Sequence, residues 1–372
     1  MEIESESSKS SDLPSFLQNR VLKHTIKKKS QNTEVKQLSS LAVGQEYYSV
    51  LKNQNYLLIY DKNTGNLVDE VKHAQNGSAI KGNEIVIIGK IIYGYVYPDT
   101  FFSYKIGESE TPRILKSGSA RGSGWHGRTL RVGFFGEGIV CNQRNQDLTL
   151  FDLDGEGGVR RTILLKMPRL YSDSKEDEFN DFLVAGKDEE QIVAFFRRGT
   201  IIVNHFFLKR RKLLKRYTFK LSLLKDRDEQ VFGCDLSPSD PQYMAVSTLR
   251  WNRKVSSRVV MLKLTNSQSI EQVASCDINF LGFGEMRVLR FFEKTFENSR
   301  YLLLFRITMK ANSNRTLILY FDTQTSELCE VSEMELNLDV DRIYAATRAF
   351  GGIYCVDYTG AMSGFELTEN EV

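Results

Sequence analysis

The chain has 372 residues, of which 41% are hydrophobic, 11% aromatic and 26% charged, a composition typical of a globular domain with enough apolar material to bury a core. Its 50 basic and 47 acidic residues leave a net charge of +3, so total charge does not by itself indicate a nucleic-acid or membrane partner. The longest apolar run, residues 85–97, is interrupted by Lys90 and is too short to cross a bilayer as a helix.

The five cysteines are far apart in the sequence. Neighbouring cysteines are separated by at least 26 positions, so none forms the closely spaced pair that is typical of metal and redox sites. Their odd number and the lack of an apolar N-terminal segment favour unpaired thiols in a reducing compartment. We therefore expect an intracellular protein, cytoplasmic or nuclear, with no metal and no cofactor. The cysteines are Cys141, Cys234, Cys276, Cys329 and Cys355.

The N-terminal region divides into a tail and a strand. Residues 1–19 are rich in Ser and Glu and show no apolar period, which predicts a disordered tail. Residues 20–372 are expected to form a single domain. That domain begins with one short strand at residues 21–29, which has no hairpin partner beside it in the sequence.

From Lys36 onward the sequence repeats. In each of seven copies an apolar strand ends in a polar turn containing Gly, Asn, Ser or Asp, and a further strand follows in copies such as those at 67–72, 114–116 and 213–221. Equivalent positions lie 44, 47, 54, 57, 58 and 45 residues apart, so the connections are longer in the middle of the chain. These positions are Tyr60, Tyr104, Phe151, His205, Leu262, Tyr320 and Phe365.

The clearest copy spans residues 231–264. Three strands are expected in it, at 231–236, 243–249 and 258–264, because small, β-branched and aromatic residues fill these segments while Pro, Asp, Asn and Ser fill the turns. The first two strands and their turn resemble the opening hairpin of a WD-repeat β-propeller blade. The residues that carry this resemblance are Leu236-Ser237-Pro238-Ser239-Asp240 and Tyr243-Met244-Ala245-Val246-Ser247.

The resemblance to WD-repeat propellers covers roughly residues 20–370, and the spacing is close to their repeat length of about 40–45 residues. It implies an all-β fold, a seven-bladed β-propeller of four-stranded blades. The last copy has strands near 343–347, 352–358 and 361–367 and ends without room for a fourth. We expect the strand at 21–28 to supply it, because closing the ring in this way removes two exposed sheet edges.

The sequence departs from the WD-repeat pattern in its motifs. No copy ends in Trp-Asp or opens with Gly-His, and the chain has only four histidines. The buried hydrogen-bond network of regular WD repeats is therefore not expected. We expect the packing of aliphatic and aromatic strands to hold the blades together instead.

The string Phe196-Arg197-Arg198-Gly199 resembles the signature of phosphoinositide-binding propellers of the PROPPIN type. In that family the motif lies between consecutive blades and its two arginines serve phosphate-binding sites. Here residues 191–196 and 200–208 are expected to pair as strands, which makes the string a tight hairpin within one blade.

Three polar stretches allow both a structural and a functional interpretation. The glycine-rich connection at 118–128 contains Trp125, which either packs on the next blade or belongs to an interface. The basic stretch 209–220 is either an edge protected by charge or an anion-binding segment. The acidic loop 172–178 is interpreted as a solvated insertion that contains a candidate phosphorylation site at Ser174.

No catalytic pattern is found, and we expect a protein that is not an enzyme. The sequence contains no Gly-x-Ser-x-Gly elbow, no His-Glu-x-x-His and no pair of His or carboxylate residues at ligand spacing. The first strands are expected to bring polar residues near a central channel, where polar residues are usual in propellers. These residues are Arg131, Asp235, Arg290 and Arg342.

Two functions follow from the expected fold. The first is a non-enzymatic protein–protein interaction scaffold, a propeller subunit of a larger intracellular assembly. The alternative is an anion-reading propeller that binds phosphoinositide, phosphopeptide or RNA through a basic face. Salt dependence separates the two, because phosphate contacts weaken steeply with added salt.

The expected fold also assigns charges to its two faces. The side that carries the hairpins between second and third strands, and the connections between blades, is expected to be basic and to bind a protein with an acidic surface or peptide. The opposite face is expected to be more acidic, with Glu46, Asp240 and Glu327 among its residues. The predicted partner-binding residues are Arg121, Trp125, Arg128, Arg144, Arg197, Arg198, Trp251, Arg253, Lys254 and Arg315.

Overall fold

The computed structural model describes most of the repeated part of the chain. The residues described are 20–27, 38–52, 56–72, 84–96, 100–108, 111–117, 130–132, 138–142, 148–165, 181–187, 190–197, 200–207, 212–220, 229–250, 256–265, 269–279, 284–296, 300–310, 313–338, 343–357 and 362–369.

Within these segments, 28 strands form seven antiparallel sheets of four strands each, here numbered in chain order. Sheet 1 contains β2 (Leu38–Val43), β3 (Tyr47–Lys52), β4 (Tyr56–Asp61) and β5 (Leu67–Lys72). Sheet 2 contains β6 (Glu84–Ile88), β7 (Ile91–Val96), β8 (Thr100–Lys105) and β9 (Arg113–Ser117). Sheet 3 contains β10 (Leu130–Val132), β11 (Gly138–Asn142), β12 (Leu148–Leu153) and β13 (Val159–Leu165).

The remaining sheets are built in the same way. Sheet 4 contains β14 (Asp181–Lys187), β15 (Glu190–Arg197), β16 (Thr200–Phe207) and β17 (Lys212–Lys220). Sheet 5 contains β18 (Glu229–Leu236), β19 (Tyr243–Arg250), β20 (Ser256–Leu264) and β21 (Ile270–Asn279). Sheet 6 contains β22 (Gly284–Phe296), β23 (Tyr301–Lys310), β24 (Ser313–Asp322) and β25 (Glu327–Leu338). Sheet 7 contains β26 (Ile343–Ala349), β27 (Gly352–Asp357), β28 (Met362–Glu369) and β1 (Arg20–Lys27).

Sheet 7 takes its fourth strand from the other end of the chain. β1 pairs antiparallel with β28, from Arg20 opposite Glu369 to Lys27 opposite Ser363. In the other six sheets the four strands are consecutive in the sequence. No helix in the part of the chain that the structure describes is long and apolar enough to cross a membrane.

The strands agree with the repeat in the sequence. All seven equivalent positions, from Tyr60 to Phe365, lie on the third strand of their sheet. In the clearest copy the three expected strands are present and one or two residues longer than expected, as β18, β19 and β20. The all-β prediction is therefore confirmed.

The first strands of the sheets lie beside one another. β2 contacts β6, β6 contacts β10, and the series continues through β14, β18, β22 and β26, which contacts β2 again. Because the strands of a sheet are antiparallel, the turns between strands one and two and between strands three and four lie on one side of this array. The hairpins between strands two and three lie on the other side. These connections are called the 1–2 turns, 3–4 turns and 2–3 hairpins below.

Apolar side chains fill the space between neighbouring sheets. Between sheets 2 and 3 the rings of Phe101 and Phe151 stack with their centroids 4.3 Å apart, an arrangement worth about 0.5–1.5 kcal/mol beyond the area it buries. Gly94 leaves room for the neighbouring ring in its own sheet, because a Cβ at this position would lie 2.1 Å from Cζ of Phe102. Similar buried clusters lie between sheets 1 and 2, 5 and 6, and 7 and 1.

Every fourth strand is interrupted by a bulge. In six sheets one extra residue faces the third strand, and in sheet 6 residues 332–335 lie opposite Leu317. A bulge twists an edge strand and hinders its pairing with another chain. The single extra residues are Val68, Leu115, Arg160, Leu214, Val273 and, on β1, Thr25.

Candidate functional site: the 2–3 hairpins of sheets 4 to 6

The 2–3 hairpins differ in length around the array. The second strand has five or six residues in sheets 1, 2, 3 and 7, but eight in sheets 4 and 5 and ten in sheet 6. At about 3.3 Å per residue, the four additional residues of β23 relative to β3 correspond to roughly 13 Å. The hairpins of sheets 4, 5 and 6 are called the tall hairpins below.

The additional length lies at the hairpin end of these strands. At the other end of sheets 1, 5 and 6, the last residue of the third strand or the residue after it donates a backbone hydrogen bond to the 1–2 turn of the same sheet. This bond is 2.7 Å from Lys62 N to Glu46 O in sheet 1, 2.8 Å from Leu264 N to Gln242 O in sheet 5 and 2.9 Å from Thr323 N to the Arg300 carbonyl in sheet 6. Because this end is equivalent in the short sheet 1 and the longer sheets 5 and 6, the extra residues of sheets 5 and 6 extend the opposite side.

All four strands of sheet 6 take part in the extension. β23 pairs with β22 as far as Lys310 opposite Gly284, and β24 pairs with β25 as far as Asn314 opposite Leu338. A paired four-stranded extension keeps its backbone groups hydrogen-bonded, so the hairpin is more rigid than a loop of the same length.

The structure places two of the predicted binding residues on the tall hairpins. Arg197 is the last residue of β15 and pairs with Thr200, and Arg315 lies on β24 opposite Thr308. In sheet 5, Arg250 pairs with Ser256, and these two residues flank the connection that contains the predicted residues 251, 253 and 254. Sheets 4, 5 and 6 are consecutive neighbours through β14, β18 and β22.

The other predicted binding residues lie outside the described residues. They are Arg121, Trp125, Arg128, Arg144, Arg198, Trp251, Arg253 and Lys254. β15 and β16 pair as expected, with Arg197 opposite Thr200. The string Phe196-Arg197-Arg198-Gly199 therefore connects two strands of sheet 4 and does not lie between two sheets.

The opposite side of the array has mixed charge. Glu46 and Asp240 lie in 1–2 turns there, as expected, but Glu46 is 3.6 Å from the ammonium of Lys90, and both side chains are exposed. Lys105 and Glu108 form another ion pair at 2.7 Å near a 3–4 turn. The sequence prediction for this face included Glu46 and Asp240 but none of these lysines.

Asp322 organises the 3–4 turn of sheet 6. Its carboxylate accepts hydrogen bonds from Arg300, at 3.1 Å to Nε and 2.7 Å to Nη2, and from the backbone N–H of Gln324 at 2.8 Å. The Arg300 guanidinium and these backbone donors hold the pKa of Asp322 below its usual range. Asp61 caps the equivalent turn of sheet 1 by accepting from Thr64 N at 2.6 Å.

A buried ion pair links the first strands of sheets 5, 6 and 7. Oδ2 of Asp235 on β18 accepts a hydrogen bond of 2.8 Å from Nη1 of Arg348 on β26. The same oxygen accepts the backbone N–H of Phe291 on β22 at 2.8 Å, and Arg348 also donates to the Phe291 carbonyl at 3.3 Å. One carboxylate and one guanidinium thus join three strands.

Arg290 adds a further contact between sheets 6 and 7. It donates to the carbonyl of Leu289 at 2.8 Å and to that of Ala346 at 3.5 Å. Asp235 and Arg290 were among the polar residues expected near a channel, whereas Arg348 was not. Arg342 lies outside the described residues, and of Arg131 only the backbone is described.

The described polar groups give no indication of catalysis. The Asp235 carboxylate is already bonded to two donors and is 7% exposed, so it has little access to a substrate. Within the described residues, no group of three or more His, Cys, Asp or Glu side chains is arranged to hold a metal ion. These contacts stabilise the array, and the tall hairpins are its most distinctive surface.

Comparison with known proteins identifies the fold. No family model matches the chain, and no curated protein matches it. Among solved structures, the β-propeller domain of Nup133 from Vanderwaltozyma polyspora is similar, with a TM-score of 0.59 and 10% sequence identity over 94% of this chain and 100% of that one. The chain therefore has a β-propeller-like fold. Since 1226 solved chains match, this likeness alone does not specify a function.

Proposed function

We propose that the chain forms a seven-bladed ring closed by β1 and acts as a non-enzymatic interaction scaffold, a subunit of a larger intracellular assembly. Its binding surface is made by the three tall hairpins and the glycine-rich connection at 118–128. Its partner is a protein with an acidic surface or an acidic peptide. The observation that carries this proposal is the longer hairpin on the same side of three neighbouring sheets.

Two features support the closed ring. The contacts between first strands return from β26 to β2, which is the neighbour relation of a closed array. β1 also carries the same single-residue bulge, at Thr25, that five other fourth strands carry. A strand that only rested on the edge of β28 would have no reason to share it.

The residue types on and between the tall hairpins support a protein-binding surface. Arg and Trp are the residues most enriched at the centres of protein interfaces, and here they are concentrated on or near three rigid hairpins. A basic surface raises the rate at which an acidic partner finds the correct orientation. The rigid backbone lowers the entropy lost on binding.

The test is a pair of triple variants. In the first, Arg198, Trp251 and Arg253 are replaced by alanine. In the matched control, Glu189, Glu190 and Asp240 on the opposite side are replaced instead. The protein that co-purifies with the tagged wild-type chain is identified by mass spectrometry and purified, and its Kd for each form is measured.

We expect the first variant to keep its melting temperature within a few degrees and to bind the partner at least tenfold more weakly. The control should bind as the wild type does. Loss of binding in the control alone would show that the opposite side is the interface.

The alternative, an anion-reading propeller, is favoured by the Arg197-Arg198 pair at the hairpin of sheet 4. Phosphate contacts make binding fall steeply with salt concentration, because each contact releases condensed ions. A salt titration of the wild-type protein with phosphoinositide vesicles, single-stranded RNA and the co-purified protein therefore distinguishes the two functions. Tight binding to vesicles or RNA, with a steep salt slope, would support the alternative.

A further inference from the structure

The turn between β26 and β27 has an unusual residue at its tip. Phe350 has a φ of 50° and is followed by Gly351 with a φ of 78°. The Phe350 side chain is 50% exposed, whereas most aromatic side chains of the described core are nearly fully buried. An exposed aromatic residue thus occupies a left-handed backbone position.

Neither property of Phe350 favours folding. In the left-handed region the Cβ of an L-residue approaches the following carbonyl oxygen, which is why Gly and Asn normally occupy such positions. An exposed ring also leaves apolar surface in contact with water. Strained residues that stability does not require are concentrated at binding sites, so Phe350 marks a candidate site.

The side chain beside Phe350 gives this site a charge. Nζ of Lys62, from the 3–4 turn of sheet 1, lies 4.6 Å from the ring centre of Phe350 and 5.0 Å from that of Tyr354. Partial burial lowers the pKa of Lys62, and the nearby carboxylate of Glu366 acts in the opposite direction without cancelling this effect. The ammonium is therefore incompletely compensated and gains from a further carboxylate.

We propose that Phe350 and Lys62 form a second docking site, at the junction of sheets 7 and 1, for a short partner segment that carries an apolar side chain next to a carboxylate. The apolar side chain packs on the Phe350 ring and the carboxylate pairs with the Lys62 ammonium. The site lies on the side of the array opposite the tall hairpins, so it is independent of the proposed binding surface.

The charges around the site favour a peptide over a polyanion. Glu366 accepts a hydrogen bond of 3.3 Å from the hydroxyl of Tyr354. Glu46 lies in the 1–2 turn of sheet 1, and its backbone carbonyl accepts a hydrogen bond of 2.7 Å from the backbone N–H of Lys62. A nucleic acid or a phosphorylated surface would bring several negative charges near these carboxylates, at an electrostatic cost. A single carboxylate beside an apolar group brings one negative charge and so keeps this repulsion small.

The test uses a phage-displayed library of random dodecapeptides, selected on the immobilised full-length protein. Enriched peptides are synthesised, and their Kd values are measured with the wild type and with Phe350→Asn, Lys62→Met and Ile114→Asn. The last variant is a matched control, because Ile114 is another half-exposed apolar residue, on the fourth strand of sheet 2.

We expect the enriched peptides to share an aliphatic or aromatic residue adjacent to Asp or Glu. Phe350→Asn and Lys62→Met should each weaken their binding at least tenfold, and Ile114→Asn should not. Phe350→Asn should melt at or above the wild-type temperature, because Asn tolerates the left-handed backbone.

Several results would overturn the proposal. They are the absence of enriched peptides, enriched peptides without an acidic residue, unchanged binding to Phe350→Asn, or a lower melting temperature for this variant. The tall-hairpin triple variant should bind the peptides as the wild type does. Loss of binding in that variant would place the peptides on the proposed scaffold surface, and so the two proposals are tested separately.

Discussion

Asp235 is the residue whose carboxylate connects three neighbouring sheets. It is buried and bonded both to Arg348 and to the backbone of Phe291, so the removal of one partner leaves a charge without compensation in a poorly solvated place. Arg348 lies 113 positions from Asp235 in the sequence. Asp235 was recognised as a polar residue on a first strand, but no local pattern relates it to Arg348, so the pair was not predictable.

We therefore predict a large effect of Arg348→Met on stability. Methionine fills much of the volume of arginine but leaves Asp235 unpaired, which should lower the free energy of unfolding by about 3–5 kcal/mol. Urea unfolding measures this change. The double variant Asp235→Asn with Arg348→Met should recover part of it, because no buried charge remains. A matched control is Lys105→Met, which breaks an exposed pair and should leave the urea midpoint unchanged. A wild-type midpoint for Arg348→Met would contradict the assignment.

The second prediction at this scale concerns pH and the Arg300–Asp322 pair. The pKa of Asp322 is lowered in the folded state from its ordinary value of 3.8. Its ionised form therefore contributes stability at pH values above 3.8, and this contribution is lost as the pH falls through the lower folded pKa. Asp322→Asn keeps an acceptor for Gln324 N but loses the charge that faces Arg300.

At neutral pH, Asp322→Asn should lower the free energy of unfolding by about 1–2 kcal/mol. The difference between wild type and variant should begin to shrink as the pH falls below 3.8, where the unfolded wild-type chain takes up the proton first. It should vanish below the lower folded pKa, where the folded carboxylate is protonated as well. Urea unfolding at a series of pH values measures this difference. A constant difference across the series would show that lost packing, and not the ion pair, causes the effect.

At the scale of strands, the sequence pattern predicted the positions of the third strands but not the bulges, in which a single residue is inserted. The third strands were recognised because each is an apolar run followed by turn residues, and all seven equivalent positions lie on them. The bulges of the fourth strands were not predicted. One extra residue, such as Val68 in β5, is of a type common in strands and leaves no distinct mark in the sequence.

The longer spacing in the middle of the chain was interpreted as longer loops, and the structure corrects this in part. Some of the additional residues extend strands, since β22 has 13 residues where β2 has six. The distinction matters for the candidate site, because paired strands raise Arg197 and Arg315 on rigid hairpins. The strand propensities of these segments allowed either outcome, and only the pairing partners decide it.

At the scale of the whole molecule, the pairing of β1 with β28 brings the two ends of the described chain together in sheet 7. β28 is regular in both of its pairings, because its register with β27 is unbroken and the extra residue in its pairing with β1 lies on β1. Without β1, this regular edge of β28 would be exposed as the edge of sheet 7. Such edges pair readily with other chains.

The last prediction follows from this difference between the two edges. Deletion of residues 1–18 leaves β1 intact and should not change the melting temperature, whereas deletion of residues 1–30 removes β1 and should lower it by on the order of 10 °C. The longer deletion should also aggregate in a concentration-dependent way, because the uncovered edge of β28 is regular. A synthetic peptide of residues 19–30, added to the longer deletion, should restore part of the lost melting temperature, since it supplies the missing strand without restoring the covalent connection. Equal melting temperatures for the two deletions would show that β1 contributes nothing to closure, and a lack of rescue by the peptide would show that the connection matters more than the pairing.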